Sequence, residues 1–314
     1  MTTDIATLVL GLACAGAGGE LFVRGAVGLA TWARVPARLV ATTVVAFATS
    51  SPELAVSIGA ARAGEPTLAL GDALGSNVVN FGVVLALGLL LAGSSVARAT
   101  TGRDYPVALL VPGVTALLAL DGELSRVDAL VLLAGFVIWL GLSAREAHRS
   151  RGSETEGAGE RSRWTTLASA VGGLILLVAA GRLVVSGATG VAAAVGLDVF
   201  VTGAILVAIG TSVPEIATVV SAKLRRHHEV VLGTVIGSNI FNGALIVSVA
   251  ALIRPIEVVR SEVGVALGFG VLVVAAAHPG RNAHLPRRRG LVLLAAYAAY
   301  LGVLLATQRG HSTP

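Results

Sequence analysis

Two short stretches rich in oxygen-bearing side chains each occur twice in this chain. Thr49-Ser50-Ser51-Pro52-Glu53 is matched by Thr211-Ser212-Val213-Pro214-Glu215. Gly75-Ser76-Asn77-Val78-Val79-Asn80 is matched by Gly237-Ser238-Asn239-Ile240-Phe241-Asn242. Every matched pair is 162 positions apart. On a helix, Thr49, Ser50 and Glu53 stand at i, i+1 and i+4, and Ser76 and Asn80 at i and i+4, so their oxygens gather on one side. Thr211, Ser212, Glu215, Ser238 and Asn242 repeat the pattern. Carboxylate, hydroxyl and amide oxygens drawn from four helices suit a hard cation, and calcium takes about 6–8 oxygens in flexible geometry. Soft metals would call for Cys or His. The single cysteine, Cys14, reads as a small buried hydrophobe, and all six histidines fall in predicted loops or the tail. Glu53 and Glu215 balance one divalent ion and are the predicted calcium ligands. Emptied, they are two uncompensated charges, which predicts that a carrier built on them changes sides only when calcium, sodium or protons fill it.

The segments that carry these residues are apolar. A carboxylate in the middle of a membrane span costs roughly 2.5–3.5 kcal/mol on insertion scales, so Glu53 and Glu215 are functional candidates by default. Pro52 and Pro214, each one residue before a Glu, predict a break in the helix that frees the carbonyls of Ala48 and Gly210. Freed carbonyls at that depth are tolerated where they line a cavity, and they can hold a cation. Gly75 and Gly237 are expected to loosen their helices at the matching depth.

The whole composition agrees with a lipid surrounding. Of 314 residues, 55% are hydrophobic and 13% charged, and the mean hydropathy is +0.84. A span needs about 20 apolar residues. Ten are predicted, near 5–31, 37–61, 67–93, 104–120, 127–144, 165–194, 199–222, 229–252, 261–277 and 290–307. The predicted fold is therefore an all-α polytopic membrane protein. Residues 1–144 form one five-helix repeat, 145–164 a polar linker and 165–314 a second five-helix repeat. Five is odd, so the second repeat enters the membrane inverted. Of the 23 Lys and Arg residues, sixteen fall on the linker side and five on the side of the termini, with Arg24 and Arg182 inside spans. That asymmetry predicts a cytoplasmic linker and termini outside, in the cell (inner) membrane. It also accounts for the net charge of +5 without a nucleic-acid partner. Trp32, Trp139 and Trp164 are expected in an interfacial belt. Glu20 and Arg24, i and i+4 in the first span, read either as a gate or, more plainly, as a paired charge. No nucleophile–base pair, phosphate loop or cofactor fingerprint stands out, so neither an enzyme nor a cofactor is expected.

With both motifs duplicated, the chain resembles the sodium/calcium exchanger family of the calcium/cation antiporter superfamily, in its prokaryotic form, over nearly its whole length. The resemblance implies antiport of Ca²⁺ against Na⁺ by alternating access, with one chain as the functional unit in the bilayer. It implies four central ion positions lined by the Ala46 carbonyl, Thr49, Ser50, Glu53, Ser76 and Asn80, and by the Ala208 carbonyl, Thr211, Ser212, Glu215, Ser238 and Asn242. It also implies that the first and sixth spans slide across the others. This chain departs from the pattern at Ala48, Ser51 and Asn242. Some relatives carry aspartate at the position of Asn242. With Asn at both 80 and 242, charge is expected from Glu53 and Glu215 alone. The proton-coupled branch carries an extra acidic residue in its third-span motif. Reading that motif as lacking one here favours sodium over H⁺/Ca²⁺ antiport on the same scaffold. A passive channel and a membrane scaffold are the remaining alternatives.

Overall fold

The apolar runs are helices in the structure, a computed structural model that describes residues 1–32, 47, 49–91, 93–95, 100–149, 163–224, 228–280 and 284–311. The first half contains α1 (Thr2–Trp32), α2 (Ser51–Ala63), α3 (Pro66–Val79), α4 (Ala86–Leu91), α5 (Tyr105–Leu118) and α6 (Arg126–Arg149). The second contains α7 (Arg163–Val195), α8 (Val199–Thr202), α9 (Ala208–Thr211), α10 (Val213–Leu224), α11 (His228–Ile240), α12 (Val247–Ile253), α13 (Arg260–Ala276) and α14 (Arg287–His311). Wider π-helical turns join α3 to α4 (Asn80–Leu85), α8 to α9 (Gly203–Val207) and α11 to α12 (Phe241–Ile246).

Eight helical stretches among the described residues are long and apolar enough to cross a bilayer. They match eight of the ten predicted spans. The predicted span 37–61 begins outside the described residues and continues as α2. The predicted span 261–277 is α13, of 17 residues. The Ala46 and Ala48 carbonyls and most of the linker also lie outside the described residues.

Burial separates a central layer from a peripheral one. In Pro66–Leu91 and Val231–Ile253, 78% of the apolar window is buried, against 28% in Arg126–Arg145 and Arg287–Gln308. The peripheral helices expose Leu110, Ile138, Ile175 and Leu291. Large aliphatic side chains facing outward on long apolar helices fit lipid as the solvent, where backbone polar groups must be satisfied within each helix.

α1 packs along α7 over most of its length. A Cβ on Gly11 would meet Val184, one on Gly18 Leu177, one on Gly25 Ala170, and one on Gly187 Leu8. Numbers rise along one helix as they fall along the other, so the two run antiparallel. Small residues at this seam let the backbones meet.

Two short antiparallel ribbons tie the halves together. β1 (Ser94–Ser95) pairs with β4 (His284–Leu285), and β2 (Glu123–Leu124) pairs with β3 (Ile256–Glu257). The repeat offset carries position 94 to 256 and 123 to 285, so it exchanges one ribbon for the other. Tyr105 of α5 donates its hydroxyl to the Val274 carbonyl of α13, with the His278 ring edge-on against it.

Two expectations about side chains fare differently. Trp164 is exposed near the start of α7, whereas Trp139 is buried among Phe136 and Phe241. Its indole N–H donates to Asp104 Oδ1 at 2.9 Å, which is the partner a buried Trp needs. Trp139 is therefore a packing residue and not part of a belt. Glu20 and Arg24 pair at 2.7 Å, both more than half exposed, the geometry of an ordinary i, i+4 pair.

Candidate cation site between the two halves

Both prolines stand at helix starts. Pro52 is the second residue of α2 and Pro214 the second of α10, where a missing N–H costs nothing. The break falls just before them. Ser50 has φ −86° and ψ 9°, and Ser212 has φ −79° and ψ 5°. Beyond it the new helices begin, with Leu54 N–H on the Ser50 carbonyl and Ile216 N–H on the Ser212 carbonyl, each at 3.1 Å. Glu53 and Glu215 are thus each the third residue of a helix whose N-terminus lies inside the protein. The unpaired N–H groups and aligned peptide dipoles of a first turn favour negative charge there.

Both carboxylates are fully buried, as are Ser76, Asn80, Thr211, Ser212, Ser238 and Asn242, and Thr49 and Ser50 are nearly so. The predicted side chains come together, and they do so across the halves. Glu53 lies beside Thr211 and within electrostatic reach of Glu215. Glu215 faces Thr49 and Ser50 of the first half, and Ser238 Oγ stands 3.4 Å from its Oε1. Both Glu53 oxygens, Glu215 Oε2, both Asn242 side-chain atoms, Asn80 Oδ1, Ser50 Oγ and Ser212 Oγ have no hydrogen-bond partner. Buried polar atoms are normally paired, and this set is mostly oxygen. Among the described residues no three of His, Cys, Asp and Glu cluster as a metal cage. Two carboxylates supplemented by neutral hydroxyls and amides are a donor set that suits a hard cation. The Ala208 carbonyl accepts from Ser212 N–H at 3.2 Å and lies 3.4 Å from the Thr211 hydroxyl.

The structure corrects two expectations and adds one contact. Gly75 and Gly237 loosen nothing, because α3 and α11 are regular through them. The loosening comes a turn later, where Asn80 opens one π turn and Asn242 is the second residue of the other. Such turns are frequent at functional sites. Asn77 and Asn239 form the added contact. Asn239 Oδ1 accepts from Asn80 Nδ2 at 3.1 Å, and Asn239 Nδ2 donates to the Asn77 carbonyl at 3.0 Å, joining α3 to α11 across the halves. Asn239→Ala leaves these groups buried and unpaired, at about 1–3 kcal/mol. The expected result is a thermal midpoint several degrees lower in detergent, measured by differential scanning fluorimetry.

The second correction is that the charge of the site does not rest on two residues. Asp72 of α3 is fully buried, accepts from Thr211 Oγ1 at 3.0 Å, and lies 3.4 Å from Ser76 Oγ. It is a third acidic side chain within electrostatic reach of Glu53. It stands in the third-span motif, so that motif does contain an acid, and the reason it offers for preferring sodium falls. The rule that singled out Glu53 and Glu215, a carboxylate in an apolar span, would have found it.

Fold and site together define a membrane carrier for cations, and comparison with known proteins identifies its kind. The sequence profile of the sodium/calcium exchanger protein family matches residues 3–145 and 165–306. The chain belongs to the sodium/calcium exchanger family, and it is an integral membrane protein of the cation/calcium antiporter class. It is 33% identical over 273 residues to the inner membrane protein YrbG of Escherichia coli, covering 82% of each chain. It is 27% identical over 352 residues to the sodium/calcium exchanger MaX1 of Methanosarcina acetivorans, covering 97% of this chain and 99% of that one. Among solved structures, the sodium-calcium exchanger NCX_Mj soaked with 10 mM Na⁺ and 10 mM Sr²⁺ aligns with a TM-score of 0.68 at 29% identity. That alignment covers 95% of this chain and 97% of the other.

Proposed function

We propose that this chain exchanges Ca²⁺ for Na⁺ across the cell membrane by alternating access, as a ten-span carrier made of two inverted five-helix repeats. The repeats are residues 1–144 and 165–314, the linker 145–164 is cytoplasmic, the termini are outside, and one chain is the functional unit. Calcium is held by Glu53 and Glu215, and cations are further coordinated by Thr49, Ser50, Ser76, Asn80, Thr211, Ser212, Ser238, Asn242 and the carbonyls of Ala46 and Ala208. The observation that carries this reading is the pair of buried, pseudo-equivalent glutamates at internal helix starts, each facing hydroxyls of the other half. The antiparallel α1 and α7 and the exchanged ribbons support the inverted repeat. Sodium is supported by MaX1 and NCX_Mj, both named as sodium/calcium exchangers. Asp72 favours a second reading, H⁺/Ca²⁺ antiport, because it adds an acidic group to the site.

Radiolabelled calcium uptake into proteoliposomes separates the two. The expected result is uptake that follows an outward sodium gradient at fixed pH. Uptake that ignores sodium and follows an imposed pH gradient overturns the sodium reading in favour of the proton. Steady calcium movement with no counter-ion overturns exchange altogether.

A further inference from the structure

The site's two halves differ in one buried acidic residue. Under the 162-residue offset the counterpart of Asp72 is Thr234, whereas Thr49 and Thr211, Ser76 and Ser238, and Glu53 and Glu215 keep their residue type. The Thr211 hydroxyl has two good acceptors, Asp72 Oδ1 at 3.0 Å and the carbonyl of Val207, one turn back on its own helix, at 3.1 Å. A hydroxyl carries one proton and two lone pairs. Which acceptor takes the proton therefore decides where the lone pairs face. Donation to Val207 is the local back-bond that Thr makes in any helix. Donation to Asp72 crosses from the second half to the first, takes the proton away from neighbouring Glu53, and leaves lone-pair density for a cation there. The Asp72 oxygen accepts in this way whether or not its other oxygen carries a proton.

We propose that Asp72 is a specificity-determining positioning residue, which by taking the Thr211 proton turns that hydroxyl into a cation ligand and makes the Glu53–Thr211 side the preferred seat for a monovalent ion. The inference rests on the exchange reading above. A divalent ion draws mainly on the two carboxylates. A monovalent ion beside Glu53 draws on one carboxylate and neutral oxygens, so it loses a larger share when Thr211 turns away. The Thr49 side has Thr234 where this side has Asp72, and the two pseudo-equivalent seats are therefore unequal.

The test is cation binding by the purified full-length chain in detergent, read from the shift in thermal midpoint. Titrations use CaCl₂ and, separately, NaCl with choline chloride holding ionic strength. Asp72→Ala should raise the half-saturating sodium concentration on the order of tenfold, the loss expected for a hydrogen bond involving a charged group, while that for calcium changes less than about threefold. In a Thr211→Val background the same substitution should change neither further. Should Asp72→Ala yield no folded protein, Asp72→Thr, which copies the other half, replaces it with the same expectation. No change in sodium affinity, equal changes for both ions, an undiminished effect in Thr211→Val, or a wild-type chain that sodium does not stabilise each overturns the proposal. Liposome flux reports separately on exchange, so failure of that reading and failure of this one remain distinct.

Discussion

Glu53→Gln and Glu215→Gln should each lower counter-ion-driven calcium uptake at least about a hundredfold. Glutamine keeps the shape and one carbonyl oxygen of glutamate but removes the charge. Both side chains are fully buried, and among the described residues no Lys, Arg or His pairs with either. On the proposed reading, a bound cation is the partner that offsets their desolvation. Removing one member of a buried charge pair costs about 3–5 kcal/mol, which corresponds to roughly two to four orders of magnitude in affinity. The two substitutions should act alike, because each Glu is the third residue of an internal helix start and each faces hydroxyls of the opposite half. Radiolabelled calcium uptake by proteoliposomes, at matched protein content and with monodispersity checked by size-exclusion chromatography, measures this. Flux near wild type in either variant removes that carboxylate from the site.

The two glutamates were legible because a charge inside an apolar run is conspicuous, and doubly so when it recurs after 162 residues. Duplication also concealed what is not duplicated. Asp72 is matched by Thr234 in the other half, so the repeat does not mark it, although it is as deeply buried as Glu53. The π turns left no mark because an α-helix and a wider turn present similar apolar patterns, and neither Asn80–Leu85 nor Phe241–Ile246 contains a proline. The bridge from Asn239 to Asn80 and the Asn77 carbonyl depends on how α3 meets α11, which local spacing does not encode. Trp139 lies near a helix end in sequence. Only the tertiary arrangement supplies Asp104 for its N–H and Phe241 for its ring.

Gly75→Val should leave little folded protein, and Gly75→Ala should lower both the thermal midpoint and calcium uptake, the latter at least about tenfold. Gly75 precedes Ser76, at the point where α3 crosses the π turn Gly203–Val207. A Cβ there would lie 2.3 Å from the Ala204 carbonyl oxygen and 2.5 Å from the Ala204 Cα. The atoms in the way are backbone, so no side-chain rotation makes room. Gly71, one turn earlier, would place a Cβ 2.3 Å from the Phe200 carbonyl, and Gly203 one 2.4 Å from that of Leu68. The crossing is thus backbone against backbone, as small residues permit in membranes. A methyl group must push α3 away from this helix, and overpacking of this kind costs about 1–3 kcal/mol or more. The displacement runs through the site. Asp72 and Ser76 lie on α3, Thr211 lies on α9 directly after the π turn, and the 3.0 Å contact from Thr211 to Asp72 spans the gap being widened. Gly135→Ala supplies the comparison, since a Cβ at that position on α6 would meet nothing within 4 Å. It should leave midpoint and flux unchanged, whereas equal tolerance of Ala at 75 and 135 would show that the crossing is looser than backbone contact allows. Because Gly75→Ala alters no polar group, a loss of flux there comes from position alone. It would mean that the distance between α3 and the Thr211 helix, and not only the residues they carry, sets calcium binding.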